Sequence, residues 1–166
     1  MRELSEMWIT DVYQYQETGR FKRLQIPLFG GTVPAGFPSP ADDYMEMKLD
    51  LNELCIQHPV ATFFMRVQGL SMTGAGIQPG DLLVVDRALE AQDGSIVIAL
   101  VDGEFTVKRL RKDRANRIVL QAENPDFPPI VIKEGMYFEV WGVVVSTIHF
   151  FSQNSPLLPK AAKQIR

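Results

Sequence analysis

The chain has 166 residues, of which 46% are hydrophobic and 22% charged, and its formal net charge is −3. This length supports one domain with a core of its own, and the near-neutral charge argues against a protein that mainly coats nucleic acid. A single cysteine, Cys55, excludes an internal disulfide framework. Because no apolar run is long enough to span a bilayer and no secretory signal is visible, we expect a soluble, intracellular protein.

The N-terminal segment, residues 1–26, is polar, with apolar side chains at spacings that a helix would place on one side. These side chains are Leu4, Met7, Trp8, Val12 and Tyr15. The segment is too short to hold a core, so it must pack on the rest of the chain or stay mobile. The following segment, Ile26–Pro40, is rich in proline and glycine and predicts an exposed, extended linker that a protease could bind.

From Tyr44 onward the sequence predicts a compact domain. Asp50 resembles a helix N-cap with Glu53 three residues on, and the short helix should end before His58. Apolar or alternating segments separated by turn residues then predict strands. The strands cover 61–68, 82–86, 95–101, 104–110, 117–122, 129–132 and 138–150. The pattern is typical of a mainly β fold, an antiparallel barrel-like sheet with at most one or two short helices, followed by a loose tail over 152–166.

Candidate metal and cofactor sites are few. Cys55, His58 and His149 are too isolated for a structural zinc site, and no local signature supports a Ser–His–Asp triad. The glycine-rich stretch 69–80 lacks the Gly-Lys-Ser/Thr sequence of a phosphate-binding loop. We therefore expect no metal and no cofactor.

Ser71 lies in a glycine-rich turn, Gly69–Gly76, directly after a strong strand. Such a turn can expose the hydroxyl and direct backbone N–H groups at a developing oxyanion. It differs by one position from the Gly-x-Ser-x-Gly elbow of hydrolases. Without other evidence, such a turn is more often an ordinary loop that ends a strand, with the serine as a cap, than a catalytic turn.

Lys108 makes catalysis more plausible. The period of its strand places Lys108 on one face with Thr106 and Leu110, and Arg109 on the other, so one base must face an apolar side. Burial disfavours the charged form of a lysine, and a neutral lysine can take a proton from Ser71. The alternative is a lysine whose ammonium group extends past the sheet edge into water.

Several bases cluster beside Lys108, namely Arg109, Arg111, Lys112, Arg114 and Arg117. They could form a nucleic-acid patch, but no aromatic residues are interleaved for base stacking. We expect a solvated hairpin tip and little direct nucleic-acid binding.

Six motifs follow one another in a specific order and spacing. They are Ala35-Gly36-Phe-Pro-Ser-Pro, Leu-Asn-Glu-Leu, Ile-Gln-His-Pro, Gly-Leu-Ser71-Met, Pro-Gly-Asp-Leu-Leu-Val-Val-Asp86 and Val-Asp-Gly-Glu-Phe-Thr-Val-Lys108-Arg-Leu. From about Ala35 to Val145 the chain resembles the UmuD family, self-cleaving accessory subunits of the bacterial error-prone DNA polymerase V. That family shares its catalytic domain with LexA repressors and more distantly with signal peptidases, within the S24 group of Ser–Lys peptidases. The resemblance implies a LexA/UmuD-type fold.

The resemblance also implies roles for particular residues. Ser71 corresponds to the nucleophile, Lys108 to its general base, and Ala35–Gly36 to the scissile bond, with the backbone N–H groups of Ser71 and Met72 as oxyanion candidates. Cleavage would separate an N-terminal regulatory arm (1–35) from residues 36–166, which comprise a β domain (36–151) and a flexible C-terminal tail (152–166). The arm has no net charge, so its loss would act by uncovering surface rather than through bulk charge.

The partners that the resemblance implies are a second copy of the chain, a RecA–single-stranded DNA filament that stimulates cleavage after DNA damage, and a UmuC-type DNA polymerase in translesion synthesis. The arm and tail look longer than is usual in the family, and the arm is too short for the winged helix-turn-helix of a LexA repressor. A non-catalytic β-barrel interaction module and a LexA-type repressor fragment are the alternatives.

Overall fold

A computed structural model describes residues 13–14, 26–29, 45–114 and 117–151. The strands and the helix are, in chain order, β1 (Tyr13–Gln14), β2 (Ile26–Phe29), β3 (Met45–Leu49), α1 (Leu51–Cys55), β4 (Thr62–Arg66), β5 (Leu82–Asp86), β6 (Ile96–Val101), β7 (Glu104–Lys112), β8 (Ile118–Gln121), β9 (Ile130–Val131) and β10 (Phe138–Ile148). Two 3₁₀ helices cover Pro59–Ala61 and Thr73–Ala75. Within the described residues, no helix is long and apolar enough to cross a membrane.

Eight strands form one antiparallel sheet in the order β1-β4-β5-β10-β6-β7-β8-β9, and β2 pairs with β3 in a separate two-stranded sheet. The long β10 lies between β5 and β6, and its register shifts at Val140/Gly142 and at Val144/Ser146. A register shift of this kind bends a strand and increases its twist. Gly142 allows β10 to lie close to β5, because a side chain at this position would collide with Val85. The prediction of a mainly β, LexA/UmuD-type fold with an antiparallel sheet and little helix is confirmed.

Turn residues determine where most strands begin and end. β5 has the predicted bounds, and the β6–β7 hairpin turns at Asp102 and Gly103, both with positive φ (48° and 91°). That pair of conformations is the type I′ turn expected from Asp-Gly. Before β4, Asp50 caps α1, since its Oδ1 accepts a hydrogen bond from the backbone N–H of Asn52 at 2.9 Å. The predicted cap is therefore present, although α1 has only five residues.

Among the described residues, most buried apolar side chains fall into two groups. One group is Val67, Met72, Ile77, Leu83, Val85 and Ile98, and the other is Val97, Ala99, Leu110 and Leu120. The full burial of a side chain of this size contributes about 1.5–3 kcal/mol. Met72 is 2% exposed, so the residue next to Ser71 is anchored in the first group.

Two N-terminal segments pair with later strands. Tyr13 and Gln14 lie opposite Phe64 and Phe63 at the outer edge of β4, so the helical spacing in residues 1–26 does not hold at this point. An edge strand offers unpaired backbone groups, which favour an added strand over a helical turn. Ile26–Phe29 is extended as predicted and pairs with β3. Residues 30–44, most of the predicted linker, and the tail 152–166 lie outside the described residues.

Candidate active site

The turn that carries Ser71 leaves β4 through Gly69 (φ 84°) and closes at Gly76 (φ 79°). Between them, Thr73–Ala75 forms a single 3₁₀ turn, and the N–H of Ile77 bonds the carbonyl of Met72 at 3.3 Å. Positive φ values suit glycine, which explains the residue type at both ends of the turn. The side chain of Ser71 is half-buried beside this turn, while Met72 points into the core.

The same turn is tied to the connection between β8 and β9. The N–H of Glu123 donates to the carbonyl of Ser71 at 2.8 Å, and the N–H of Gly74 donates to the carbonyl of Glu123 at 2.6 Å. Asn124 Nδ2 donates to the carbonyl of Leu70 at 2.9 Å. The backbone on both sides of the Ser71 hydroxyl is thus fixed by hydrogen bonds from another part of the sheet.

Lys108 Nζ lies 2.8 Å from Oγ of Ser71. It also lies 3.0 Å from Oγ1 of Thr106 and 2.9 Å from the carbonyl oxygen of Val107, and the residue is only 8% exposed. Within the described residues no carboxylate forms an ion pair with Lys108. Burial without a compensating negative charge lowers the pKa of Lys108 below its ordinary value of 10.5.

Strand β7 determines which way Lys108 points. Lys108 lies opposite Val97 of β6, and the next residue on the same face, Leu110, belongs to the buried core. Alternation along the strand sends Arg109 to the other face. The structure therefore agrees with the assignment made from the strand period. Lys108 is the base that lies on the apolar face.

A cleft of about 450 Å³ opens beside Ser71. It is lined by Met65, Arg66, Gln68, Ser71, Leu83, Ile98 and Glu104–Val107. The ring of Phe105 stands edge-on to Trp141 with centroids 5.6 Å apart, which holds this apolar wall in place. A mixed apolar and polar cleft that ends at a serine–lysine contact can hold an extended peptide with one carbonyl next to the hydroxyl.

The backbone N–H groups of Ser71 and Met72 were predicted as oxyanion candidates. Neither donates to an acceptor within the described residues. The predicted scissile bond, Ala35–Gly36, lies outside the described residues. The structure thus brings Ser71 and Lys108 together and places Met72 beside them.

The two histidines have other partners. His58 Nδ1 lies 2.6 Å from Oδ2 of Asp86, and His149 Nδ1 lies 2.5 Å from Oδ1 of Asp81. Both aspartates are buried, and each also accepts a backbone N–H. Within the part of the chain that the structure describes, no group of three or more His, Cys, Asp or Glu side chains could hold a metal ion.

Arg109 does not belong to a solvated hairpin tip, so that prediction is wrong for this residue. Its Nε lies 2.5 Å from Oε1 of Glu123, and both side chains are 23% exposed. Sequence reasoning missed this pair because Arg109 is on β7 whereas Glu123 lies in the connection between β8 and β9, and neither belongs to a recognisable motif. The only available signal was the strand period, which places Arg109 on the face of β7 opposite to Lys108.

A model of the family described as Peptidase S24-like matches residues 27–145. The chain belongs to the S24 peptidase family. Relatives include Protein ImpA of Escherichia coli, which is 51% identical over 74% of this chain and 83% of its own length. Protein MucA of Escherichia coli is 44% identical over 81% of this chain and 91% of its own length. The LexA repressor of Paracidovorax citrulli is 40% identical over 76% of this chain and 55% of its own length.

These relatives place the chain among the UmuD-like members of the S24 peptidase family. The resemblance inferred from the motifs is therefore confirmed at the level of the family. S24 membership supports a serine-type, autoproteolytic peptidase in general terms.

Proposed function

We propose that this UmuD-like SOS mutagenesis protein cleaves its own chain between Ala35 and Gly36, with Ser71 as nucleophile and Lys108 as general base. The observation that carries the proposal is the 2.8 Å contact between Lys108 Nζ and Ser71 Oγ, in a site where lysine has no ion-pair partner among the described residues. Ser71 lines a cleft that can accept an extended segment, and Lys108 contacts the hydroxyl of Ser71.

The three neighbours of Lys108 Nζ fit a neutral amine. A neutral amine has two N–H donors and one lone pair. The carbonyl of Val107 can only accept, so it takes one N–H, and Oγ1 of Thr106 accepts the other. The lone pair then faces Oγ of Ser71, which donates its proton. Burial favours this neutral state because it disfavours the charged form.

The reaction then proceeds in two steps. Oγ of Ser71 attacks the carbonyl carbon of Ala35 while Lys108 takes the hydroxyl proton, and the N–H groups of Ser71 and Met72 stabilise the oxyanion. The intermediate collapses, the C–N bond breaks, and Lys108 returns the proton to the leaving amine of Gly36. Water next attacks the ester between Ser71 and Ala35 while Lys108 accepts a proton from the water. The ester bond then breaks, Lys108 returns this proton to Oγ of Ser71, and residues 1–35 are released with a carboxyl terminus at Ala35.

The decisive experiment is self-cleavage of the purified chain between pH 7 and 10, with the fragments identified by mass spectrometry. Cleavage after Ala35 should accelerate as pH rises and level off above the lowered pKa of Lys108, because only the neutral amine accepts the proton. Ser71→Ala and Lys108→Ala should each abolish it. Lys112→Ala is the matched control, since Lys112 is an exposed lysine on the same strand. Cleavage that persists in Ser71→Ala protein would contradict the mechanism.

The biological setting is also part of the proposal. In the bacterial cytoplasm, a RecA–single-stranded DNA filament would stimulate cleavage after DNA damage, and the shortened homodimer would then support a UmuC-type polymerase. Support comes from the similarity to UmuD-like proteins over most of the chain. The match to the LexA repressor covers only 55% of that protein, so its repressor activity is not transferred to this chain.

A further inference from the structure

The backbone of Glu123 makes two hydrogen bonds to the turn that carries Ser71. Its N–H bonds the carbonyl of Ser71 at 2.8 Å, and its carbonyl accepts from the N–H of Gly74 at 2.6 Å. A Cβ built on Gly74 would collide with that carbonyl oxygen, so the two backbones are in contact. Any shift of Glu123 therefore moves Ser71.

The side chain of Glu123 is fixed in turn by Arg109. Arg109 Nε lies 2.5 Å from Oε1 of Glu123, and Nη1 of the same guanidinium donates to the carbonyl of Gly94 at 2.8 Å. Both charged side chains are mostly buried, so water screens their attraction less than it screens an exposed pair. Arg109 thus links the Ser71 turn to the loop that precedes β6.

Arg109 and Lys108 are consecutive residues of β7, on opposite faces. One face of the strand presents the amine to Ser71, and the other holds the residue to which the Ser71 turn is attached. We propose that Arg109 and Glu123 form a positioning pair that fixes Ser71 relative to Lys108. This inference rests on the proposed Ser71–Lys108 chemistry and adds two residues that touch neither the substrate nor the reacting atoms.

The pair should affect the rate and not the pH at which cleavage becomes fast. Positioning errors of about 1 Å can cost on the order of 10²-fold in rate. The protonation of Lys108 depends on its own burial, which Arg109 and Glu123 do not alter directly. The expected signature is a lower plateau of the pH–rate profile with an unchanged midpoint.

The test measures first-order self-cleavage of the full chain from pH 7 to 10 in Glu123→Gln, Arg109→Gln and the charge-exchanged double variant (R109E with E123R). Each single variant should lower the plateau about ten- to a hundredfold, and the double variant should recover part of that loss. Glu123→Gln keeps the shape of the side chain, so it stays informative if an arginine variant fails to fold. Arg117→Gln is the control, because it removes an exposed Arg–Asp contact of 2.7 Å on the adjacent part of the sheet.

Single variants that are folded and cleave at the wild-type rate would overturn the inference while leaving the proposed function intact. A shifted midpoint with an unchanged plateau would also overturn it, since the pair would then act on the protonation of Lys108. A wild-type chain that does not cleave after Ala35 under any of these conditions would instead remove the proposed function itself.

Discussion

The two faces of β7 give the neighbouring basic residues Lys108 and Arg109 opposite environments. On one face, Lys108 is 8% exposed, and its neighbours among the described residues are neutral oxygen atoms. On the other face, Arg109 is half-buried against the carboxylate of Glu123. Burial among neutral groups lowers the pKa of the lysine. A guanidinium stays charged under any such conditions and gains from a paired carboxylate. One strand can therefore supply a proton acceptor on one side and a fixed charge on the other.

The difference between the two bases predicts the largest effect. In Lys108→Arg, the guanidinium cannot lose its proton, so we expect self-cleavage to fall by on the order of 10³-fold or more at every pH. The measurement is the fraction of chain cut after Ala35, determined by mass spectrometry at each pH from 7 to 10. Lys112→Arg provides the same chemical change on an exposed position and should leave the rate unchanged.

The burial of Lys108 should also lower the stability of the fold. In Lys108→Met we expect the free energy of unfolding at pH 7 to increase by about 1–3 kcal/mol, because an apolar chain replaces an amine with no ion-pair partner among the described residues. Denaturant unfolding with a Ser71→Ala background in both proteins excludes interference from cleavage. If Lys108→Met were less stable at pH 7 than the protein that keeps Lys108, burial of the lysine would not be destabilising and this prediction would be wrong.

The stability difference should depend on pH in one direction. The unfolded lysine titrates near 10.5 and the folded one below that value, so the unfolded chain binds more protons between the two pKa values. The free energy of unfolding of the lysine-containing protein therefore rises with pH through that window. The advantage of Lys108→Met should shrink as pH approaches 10.5, and a constant difference across the range would argue against a lowered pKa.

A smaller effect is expected at Thr106, whose Oγ1 lies 3.0 Å from Lys108 Nζ. Thr106→Val removes one acceptor of the amine, so the lone pair is less well directed at Ser71, and we expect about a tenfold slower cleavage. The rate at the plateau of the pH profile is the measurement. Thr147→Val removes a hydroxyl that contacts Asp81 and not Lys108, and it should cleave at the wild-type rate.

The smallest effect is expected for an exposed counterpart of Arg109. Arg117 lies 2.7 Å from Asp113, but its side chain is 65% exposed. Arg117→Ala should change the free energy of unfolding by no more than about 0.5 kcal/mol, because water screens the pair. Arg109→Ala, measured in parallel by denaturant unfolding, should cost clearly more. Equal costs would mean that half-burial gives the Arg109–Glu123 pair no advantage.

The strands could be anticipated from local sequence, and the pairing of Ser71 with Lys108 from the family resemblance together with the strand period. Turn residues on both sides of 82–86 gave its bounds, and the strand period placed Lys108 on the apolar face. The contacts made by Arg109 could not be anticipated, because they depend on how the β8–β9 connection folds back over the Ser71 turn. The pairing of Tyr13–Gln14 with β4 was also missed, since an edge strand accepts many sequences and local pattern does not select one.

The pairing of β2 with β3 gives the proposed cut a second consequence. The two strands are joined through residues 30–44, which contain Ala35 and Gly36, so they now meet within one chain. A covalent connection this short maintains an effective concentration of one strand near the other on the order of millimolar. Once the chain is cut, β2 and β3 belong to separate molecules, and their association depends on the protein concentration. The protein concentration then determines what fraction of the cleaved arm stays bound, so a cell that contains more of this protein would keep a larger fraction of the arm in the complex.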